Sequence, residues 1–131
     1  MKTLFASHRR FSIWRYLISH GQLLLRSVPT GVECSRVEVL FRNVVAIKIT
    51  MQLDNLTIRQ PSEEELLTIG QQVGTPVSQL GGAVFVIKTL KSTGYVVASE
   101  FAAAEDDGDY KTPSSLLIEG SSEWPESLGP V

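Results

Sequence analysis

The sequence has a single cysteine, Cys34, and only two histidines, His8 and His20. One cysteine cannot form an internal disulfide, and it cannot supply a multi-cysteine zinc cluster. The motifs G-x-S-x-G, H-E-x-x-H and G-x-G-x-x-G and the P-loop are also missing. We therefore expect no metal, no other cofactor and no catalytic residues, which favours a non-enzymatic function.

Long apolar runs are missing too. No stretch approaches the roughly 18 apolar residues that a membrane-spanning helix requires. Arg9-Arg10 ahead of Phe11 is similar to the basic pair of a twin-arginine export signal, but Arg15 and Arg26 interrupt the apolar segment that such a signal needs. We expect a soluble cytoplasmic protein with no membrane partner.

The composition is that of one folded domain, with 131 residues, 43% of them hydrophobic and 20% charged. Residues 1–10 have no periodicity and are expected to form a mobile N-terminal lead-in. Residues 11–119 are expected to form the single α+β domain. Residues 120–131, with two prolines and two glycines, are expected to form a loose C-terminal tail.

Charge is divided unevenly along the chain. Residues 1–50 contain 8 Lys and Arg against 2 Asp and Glu, whereas residues 51–131 contain 4 against 12. Within one domain the two halves can lie side by side, and we expect them to neutralise each other. The alternative is a pair of opposed surface patches, which favours head-to-tail self-association or an oppositely charged protein partner.

Alternating apolar residues predict β-strands along the chain. The segment 11–25 predicts a hairpin with its turn at His20-Gly21, and residues 36–41 predict a strand that Asn43 separates from the next one. Further signals predict turns at Asp54-Asn55 and Ser92-Thr93-Gly94, a buried central strand at 83–87, a solvated turn at 105–109 and a short last strand at 116–118.

One helix has clear boundary signals. Ser62 stands three residues before Glu65 and just ahead of a helical apolar pattern, which predicts a capping box. Gly74 is a natural stop. We expect a helix from about Glu63 to Val73.

Residues 75–80 continue this helix with the spacing of a helix-turn-helix. The chemistry does not suit DNA, because no Lys or Arg occurs between Arg59 and Lys88. We expect a capped connector and no nucleic-acid partner. The expected fold class is therefore α+β, with a predominantly antiparallel curled sheet of about six to eight strands, a half-barrel or a sandwich, and one main helix.

Candidate binding residues are aromatic and basic. Trp14 and Tyr16 are expected to share one face of a strand, with Arg15 on the other face and with Arg26 or Arg36 across the sheet. Trp, Tyr and Arg dominate interface hot spots, although aromatic residues of small domains also serve in cores. Ser19 and His20 are expected to point apart, as neighbours on a strand do.

The expected function is a small interaction module, an adaptor or immunity-type protein, that binds another protein or itself, for instance as an edge-paired homodimer. The first alternative is a β-rich domain that binds a small apolar molecule in a pocket lined by Trp14, Phe41, Phe85 and Phe101. The second is a regulator with a degenerate helix-turn-helix.

Overall fold

The computed structural model of the protein describes residues 1–29 and 34–108, together with Leu116. The elements, in chain order, are β1 (Thr3–Leu17), a 3₁₀ turn (Ile18–His20), β2 (Gln22–Ser27), β3 (Arg36–Arg42), β4 (Ala46–Lys48), β5 (Gln52–Arg59), α1 (Glu63–Val73), a second 3₁₀ turn (Val77–Gln79), β6 (Ala83–Lys88), β7 (Thr93–Ala98) and β8 (Glu100–Asp106).

In the described part of the chain, eight strands form one antiparallel sheet in the order β4-β7-β6-β5-β1-β2-β3-β8. The consecutive strands β3 and β4 lie near opposite ends of this order, as do β7 and β8. The chain bends between them at Asn43, which has a φ of 54°, and at Ser99, whose backbone N–H donates to the carbonyl of Arg42 at 2.9 Å. The sheet is curled but not closed, so the predicted fold class is confirmed.

The inner face of the sheet holds the main hydrophobic core. Phe41 of β3 contacts Phe85 of β6 with a ring-centroid distance of 5.7 Å, although three strands separate β3 from β6 in the sheet. Phe101 packs on both rings. The buried members of this core are Phe11, Leu23, Leu25, Val37, Val39, Phe41, Leu53, Leu56, Ile58, Phe85, Ile87, Val96 and Ala98.

Helix α1 begins and ends where the sequence predicts. The Ser62 hydroxyl accepts from the backbone N–H of Glu65, and the Glu65 carboxylate accepts from the backbone N–H of Ser62, which completes the capping box. Gly74 ends the helix with a φ of 91°. Ile69 packs the helix against the outer face of β6 and β7. No helix among the described residues is long and apolar enough to span a membrane.

The prediction that the folded chain begins near Phe11 is wrong. Residues 3–10 form the first half of β1 and pair with β5. The pairing register shifts between Thr3 and Phe5 and again between Ser7 and Arg10. These irregularities interrupt the alternation of apolar residues, which explains why no period marks this part of the strand.

Two residues that were predicted to lie in turns, Asn55 and Gly94, lie within strands. Asn55 has a φ of 58° but stands inside β5, opposite an irregular part of β1, so it marks a local bulge and not a hairpin turn. Gly94 lies within β7, because the β6–β7 turn consists of residues 89–92. A Cβ atom on Gly94 would lie 1.9 Å from the carbonyl oxygen of Lys48, so the pairing of β4 with β7 requires glycine here.

Beyond Gly108 the structure describes only Leu116, so it tests only part of what was predicted near the C-terminus. Leu116 is helical and buried, so the predicted strand is wrong at this residue, whereas residues 117–118 and 120–131 lie outside the described part of the chain. Glu105 and Asp106 belong to β8 and not to a solvated turn, because they pair with Val37 and Arg36 of β3. They also form ion pairs with arginines of β1 and β3.

Candidate functional site

Two of the predicted binding arginines take part in a buried ion-pair network on the outer face of the sheet. Cross-strand register places Arg26 opposite Glu38 and Arg36 opposite Asp106. The Arg26 guanidinium lies 2.6 Å from Glu38 Oε2. Arg36 donates to both Asp106 oxygens at 2.8 Å, and its Nε lies 4.0 Å from Glu38. We call these four residues the charged outer face.

This network is deeply buried. Arg36 and Glu38 are each only 1% exposed, and Leu24, Leu40 and Leu116 form a small apolar cluster on the same side of the sheet. Burial lowers the pKa of Arg26, and the neighbouring Glu38 carboxylate opposes that shift. The structure therefore places Arg26 and Arg36 inside the molecule, where each guanidinium has a carboxylate partner.

The predicted alternation of Trp14, Arg15 and Tyr16 is wrong because β1 has a bulge at this point. Ile13 pairs with Leu25 but Arg15 pairs with Leu24, so the register shifts across Trp14. Directly paired residues share a face, which places Arg15 on the outer side of the sheet and Tyr16 on the other. The Trp14 ring lies under the guanidinium of Arg26, at 4.7 Å from centroid to Cζ.

Trp14 and Tyr16 belong to a concentration of exposed apolar side chains. Among the described residues, nine large hydrophobic side chains are exposed, and six of them lie on the two short segments 14–18 and 45–51. Ile18, at the tip of the β1–β2 hairpin, is 84% exposed. We call this set the hairpin patch; its members are Trp14, Tyr16, Ile18, Val45, Ile47 and Met51.

Backbone hydrogen bonds join the two segments of the hairpin patch at both ends. The N–H of Ile13 donates to the carbonyl of Met51 at 3.0 Å, and the N–H of Val44 donates to the carbonyl of Gly21 at 2.9 Å. The patch also includes a sheet edge, since β4 pairs only with β7 among the described strands. The two segments are therefore held side by side, although Trp14 and Tyr16 lie on opposite sides of the sheet.

A second apolar surface lies beside α1. The helix and the segment 74–78 enclose an open groove of about 760 Å³, within the range of pockets that hold a drug-sized ligand. Leu67, which is 71% exposed, lies on its wall. We call this surface the α1 groove; it is lined by Glu63, Leu66, Leu67, Gly70, Gln71, Gly74, Thr75, Pro76, Val77 and Ser78.

The four aromatic residues predicted to line a pocket are not brought together. Phe41, Phe85 and Phe101 pack ring against ring in the main core. Trp14 contacts Arg26, whose side chain belongs to the outer face. The lining of the α1 groove contains none of these four residues.

Three observations concern side chains that could bind a metal ion or act as a nucleophile or base. No cluster of three or more His, Cys, Asp and Glu side chains within them could hold a metal ion, and Cys34 is exposed as a free thiol. The expectation that Ser19 and His20 point apart is wrong, because both lie in the 3₁₀ turn and Ser19 Oγ is 2.8 Å from His20 Nδ1. This contact lies within the exposed turn.

Comparisons with protein-family models, with curated proteins and with solved structures find no match to this chain. The surfaces must therefore be interpreted from their own chemistry. Five exposed residues of these surfaces were not predicted as binding residues: Ile18, Val45, Ile47, Met51 and Leu67. Ile18 could have been predicted from the sequence, because turns are normally polar and an isoleucine at the tip of a predicted hairpin is unusual.

Proposed function

We propose that this protein is a small non-enzymatic interaction module that binds another protein or a second copy of itself through the hairpin patch. The observation that carries this proposal is the concentration of six exposed large hydrophobic side chains on two joined segments. A concentration of exposed apolar side chains on one part of a folded domain favours a contact site.

The composition of the patch supports this proposal. Tyr and Trp are enriched where interfaces concentrate their binding energy, because they bury a large rigid surface and keep a polar group at the edge. The cation–π contact with Arg26 holds Trp14 in place before a partner arrives. The short edge strand β4 adds backbone groups to which an extended segment of a partner can pair.

The experiment is native mass spectrometry of the tagged protein drawn gently from its host lysate, compared with the variant Ile18→Glu. We expect a stoichiometric protein partner, or a second copy, with the parent protein and its loss with the variant. Leu90→Glu is the matched control, because Leu90 is 67% exposed but lies in the β6–β7 turn outside both surfaces. A bare parent chain, or a partner retained by Ile18→Glu, contradicts the proposal.

Binding of a small apolar molecule is the second candidate, and the α1 groove favours it by its volume and apolar lining. The same spectra test it. A small molecule retained by the parent protein and lost with Leu67→Glu supports this candidate over the first.

A further inference from the structure

We propose that a small cavity between α1 and the edge of the sheet binds a zwitterionic molecule with the length of a free dipeptide. The cavity has a volume of about 260 Å³ and shares no residue with the hairpin patch or the α1 groove. We call it the Tyr95 cavity; the lining residues that carry the proposal are Lys48, Glu64, Thr68, Gln72, Val86 and Tyr95.

Cross-strand register forms the sheet side of the Tyr95 cavity. Lys48 of β4 pairs with Tyr95 of β7, and Tyr95 pairs with Val86 of β6. Directly paired residues share a face, so these three side chains lie in one row on the outer face of the sheet. The row combines a cation, a hydroxyl group and an apolar side chain.

Helix α1 forms the opposite wall. Three of its polar residues follow one another at intervals of four and therefore lie on one side of the helix: Glu64, Thr68 and Gln72. The α1 groove lies on the other side, at Glu63, Leu67 and Gln71. The Lys48 ammonium donates to Gln72 Oε1 at 3.4 Å, which joins one end of the sheet row to one end of the helix row.

Tyr95 is the residue that points to a ligand. It is 8% exposed and packs with Ile69, but its hydroxyl forms no hydrogen bond with any residue that the structure describes. A buried tyrosine hydroxyl normally has a partner. In the described part of the chain, Gln22 Oε1 is the only fully buried side-chain polar atom without a partner, so the Tyr95 hydroxyl is open to solvent. A molecule in the cavity that Tyr95 lines can supply the missing hydrogen bond.

The charges in the cavity favour a ligand that carries both signs. Lys48 and Glu64 form no ion pair with each other or with any other described residue. The remaining charged group, Glu65, is already bound through both oxygens to Arg59. An anion alone would approach Glu64 and a cation alone would approach Lys48, whereas a zwitterion satisfies both groups.

The positions of the two charges set the length of the ligand. Glu64 and Gln72 are eight residues apart, about 12 Å along the helix axis, and Lys48 lies at the Gln72 end. Ion contacts of about 3 Å at each end leave about 6 Å between the charged groups of the ligand. Two residues of extended chain span about 7 Å, whereas one residue spans less than about 4 Å and three span about 10 Å. A dipeptide therefore fits, and the Tyr95 hydroxyl donates to its peptide carbonyl.

The first test is a titration of the purified protein with alanyl-alanine up to about 10 mM, ten times a Kd of about 1 mM, followed by ¹H–¹⁵N NMR spectra. We expect saturable shifts of the backbone amides that line the Tyr95 cavity. Alanine and trialanine should bind about fivefold more weakly, because each loses one ion contact. Absence of saturable shifts at the cavity, or equal binding of all three molecules, overturns the proposal.

The second test assigns the ammonium end of the ligand to Glu64. N-acetylation of alanyl-alanine should weaken binding about fivefold in the parent protein, and it should cause no loss in Glu64→Gln, where the partner charge is absent. Glu63→Gln is the matched control, because Glu63 is an exposed neighbour that lines the α1 groove and not the Tyr95 cavity. It should show the full loss. Equal losses in all three proteins contradict the assignment.

The third test uses Tyr95→Phe, which removes only the hydroxyl and keeps the ring among its apolar neighbours. Binding of alanyl-alanine should weaken about 2- to 10-fold, which corresponds to one neutral hydrogen bond. Resistance to urea should be unchanged, because the hydroxyl has no partner among the described residues. Unchanged binding by the folded variant overturns the proposal. Because the Tyr95 cavity and the hairpin patch share no residue, that result leaves the proposed function standing.

Discussion

The outer face of this sheet is covered in two contrasting ways. On β6 and β7 the contacts are apolar, since Ile69 of α1 packs on Val84, Tyr95 and Val97. On β2, β3 and β8 the same side of the sheet carries the charged outer face, in which Arg36 and Glu38 are as deeply buried as the hydrophobic core. The contacts of one region are apolar, whereas the other combines a small apolar cluster with buried ion pairs.

The difference shows that burial alone does not reveal how a region is stabilised. An apolar contact gains free energy in proportion to the area removed from water, roughly 25 cal/mol per Å². A buried ion pair must first compensate for the desolvation of both charges, so its net contribution is small while the loss of one partner is severe. The two regions should therefore respond differently to the removal of a single side chain.

The largest expected effect is that of Glu38→Ala. The variant leaves the buried Arg26 without its carboxylate partner, so we expect the free energy of unfolding to fall by about 3–5 kcal/mol, measured by urea denaturation. Total stability is about 5–15 kcal/mol for proteins in general. The loss is therefore a large fraction of the total.

The matched control is Glu100→Ala, which removes a surface carboxylate 3.5 Å from Arg42. It should cost less than about 1 kcal/mol. Joint replacement of the buried pair, Arg26→Met with Glu38→Leu, should recover most of the loss seen in Glu38→Ala, because it removes the unpaired charge. Equal costs for Glu38→Ala and Glu100→Ala would contradict the assignment of a buried network.

On the apolar side, Ile69→Ala should lower the free energy of unfolding by about 2–4 kcal/mol, because it removes buried methyl groups and leaves a cavity between α1 and the sheet. Urea denaturation measures this loss as well. Leu67→Ala, two residues earlier but on the exposed side of the helix, should change stability by no more than about 0.5 kcal/mol. A large cost for Leu67→Ala would show that Leu67 packs within its own chain.

Helix α1 could be predicted because its signals are local: Ser62, Glu65 and Gly74 define both of its ends within one short segment. The charged outer face could not be predicted from the sequence, because Arg36 and Asp106 are 70 residues apart and no local pattern connects them. The expectation that the two charged halves neutralise each other is supported by four ion pairs between them.

Part of the hairpin patch could also be predicted, because Trp14 and Tyr16 are of residue types that are enriched in interface hot spots. Val45 and Ile47 follow the two-residue period that is typical of a buried strand face, but both are exposed, Val45 just before the edge strand β4 and Ile47 within it. The position of a strand within a sheet depends on pairing between distant segments. Periodicity within one segment does not contain that information.

The smallest expected effect concerns a third kind of contact, a partly exposed ion pair at the start of α1. Arg59 donates to both Glu65 oxygens, at 2.9 and 2.8 Å, and these hydrogen bonds lower the pKa of Glu65 to about 2. Because the pKa is lower in the folded state than in the unfolded state, this carboxylate stabilises the fold above about pH 4.5, and its contribution disappears as the pH falls towards about 2.

The variant Glu65→Gln tests this directly. Its difference from the parent protein in free energy of unfolding should be about 1 kcal/mol near pH 7, because the pair is partly solvated, and should shrink towards zero by about pH 2. Glu63→Gln, on an exposed glutamate of the same helical turn, should show a smaller difference across that range. Both variants keep the charged outer face, so its contribution to stability cancels in the comparison. A difference for Glu65→Gln that is independent of pH would mean that the lost free energy does not come from the charge on Glu65, since glutamine can still accept the capping hydrogen bond from Ser62.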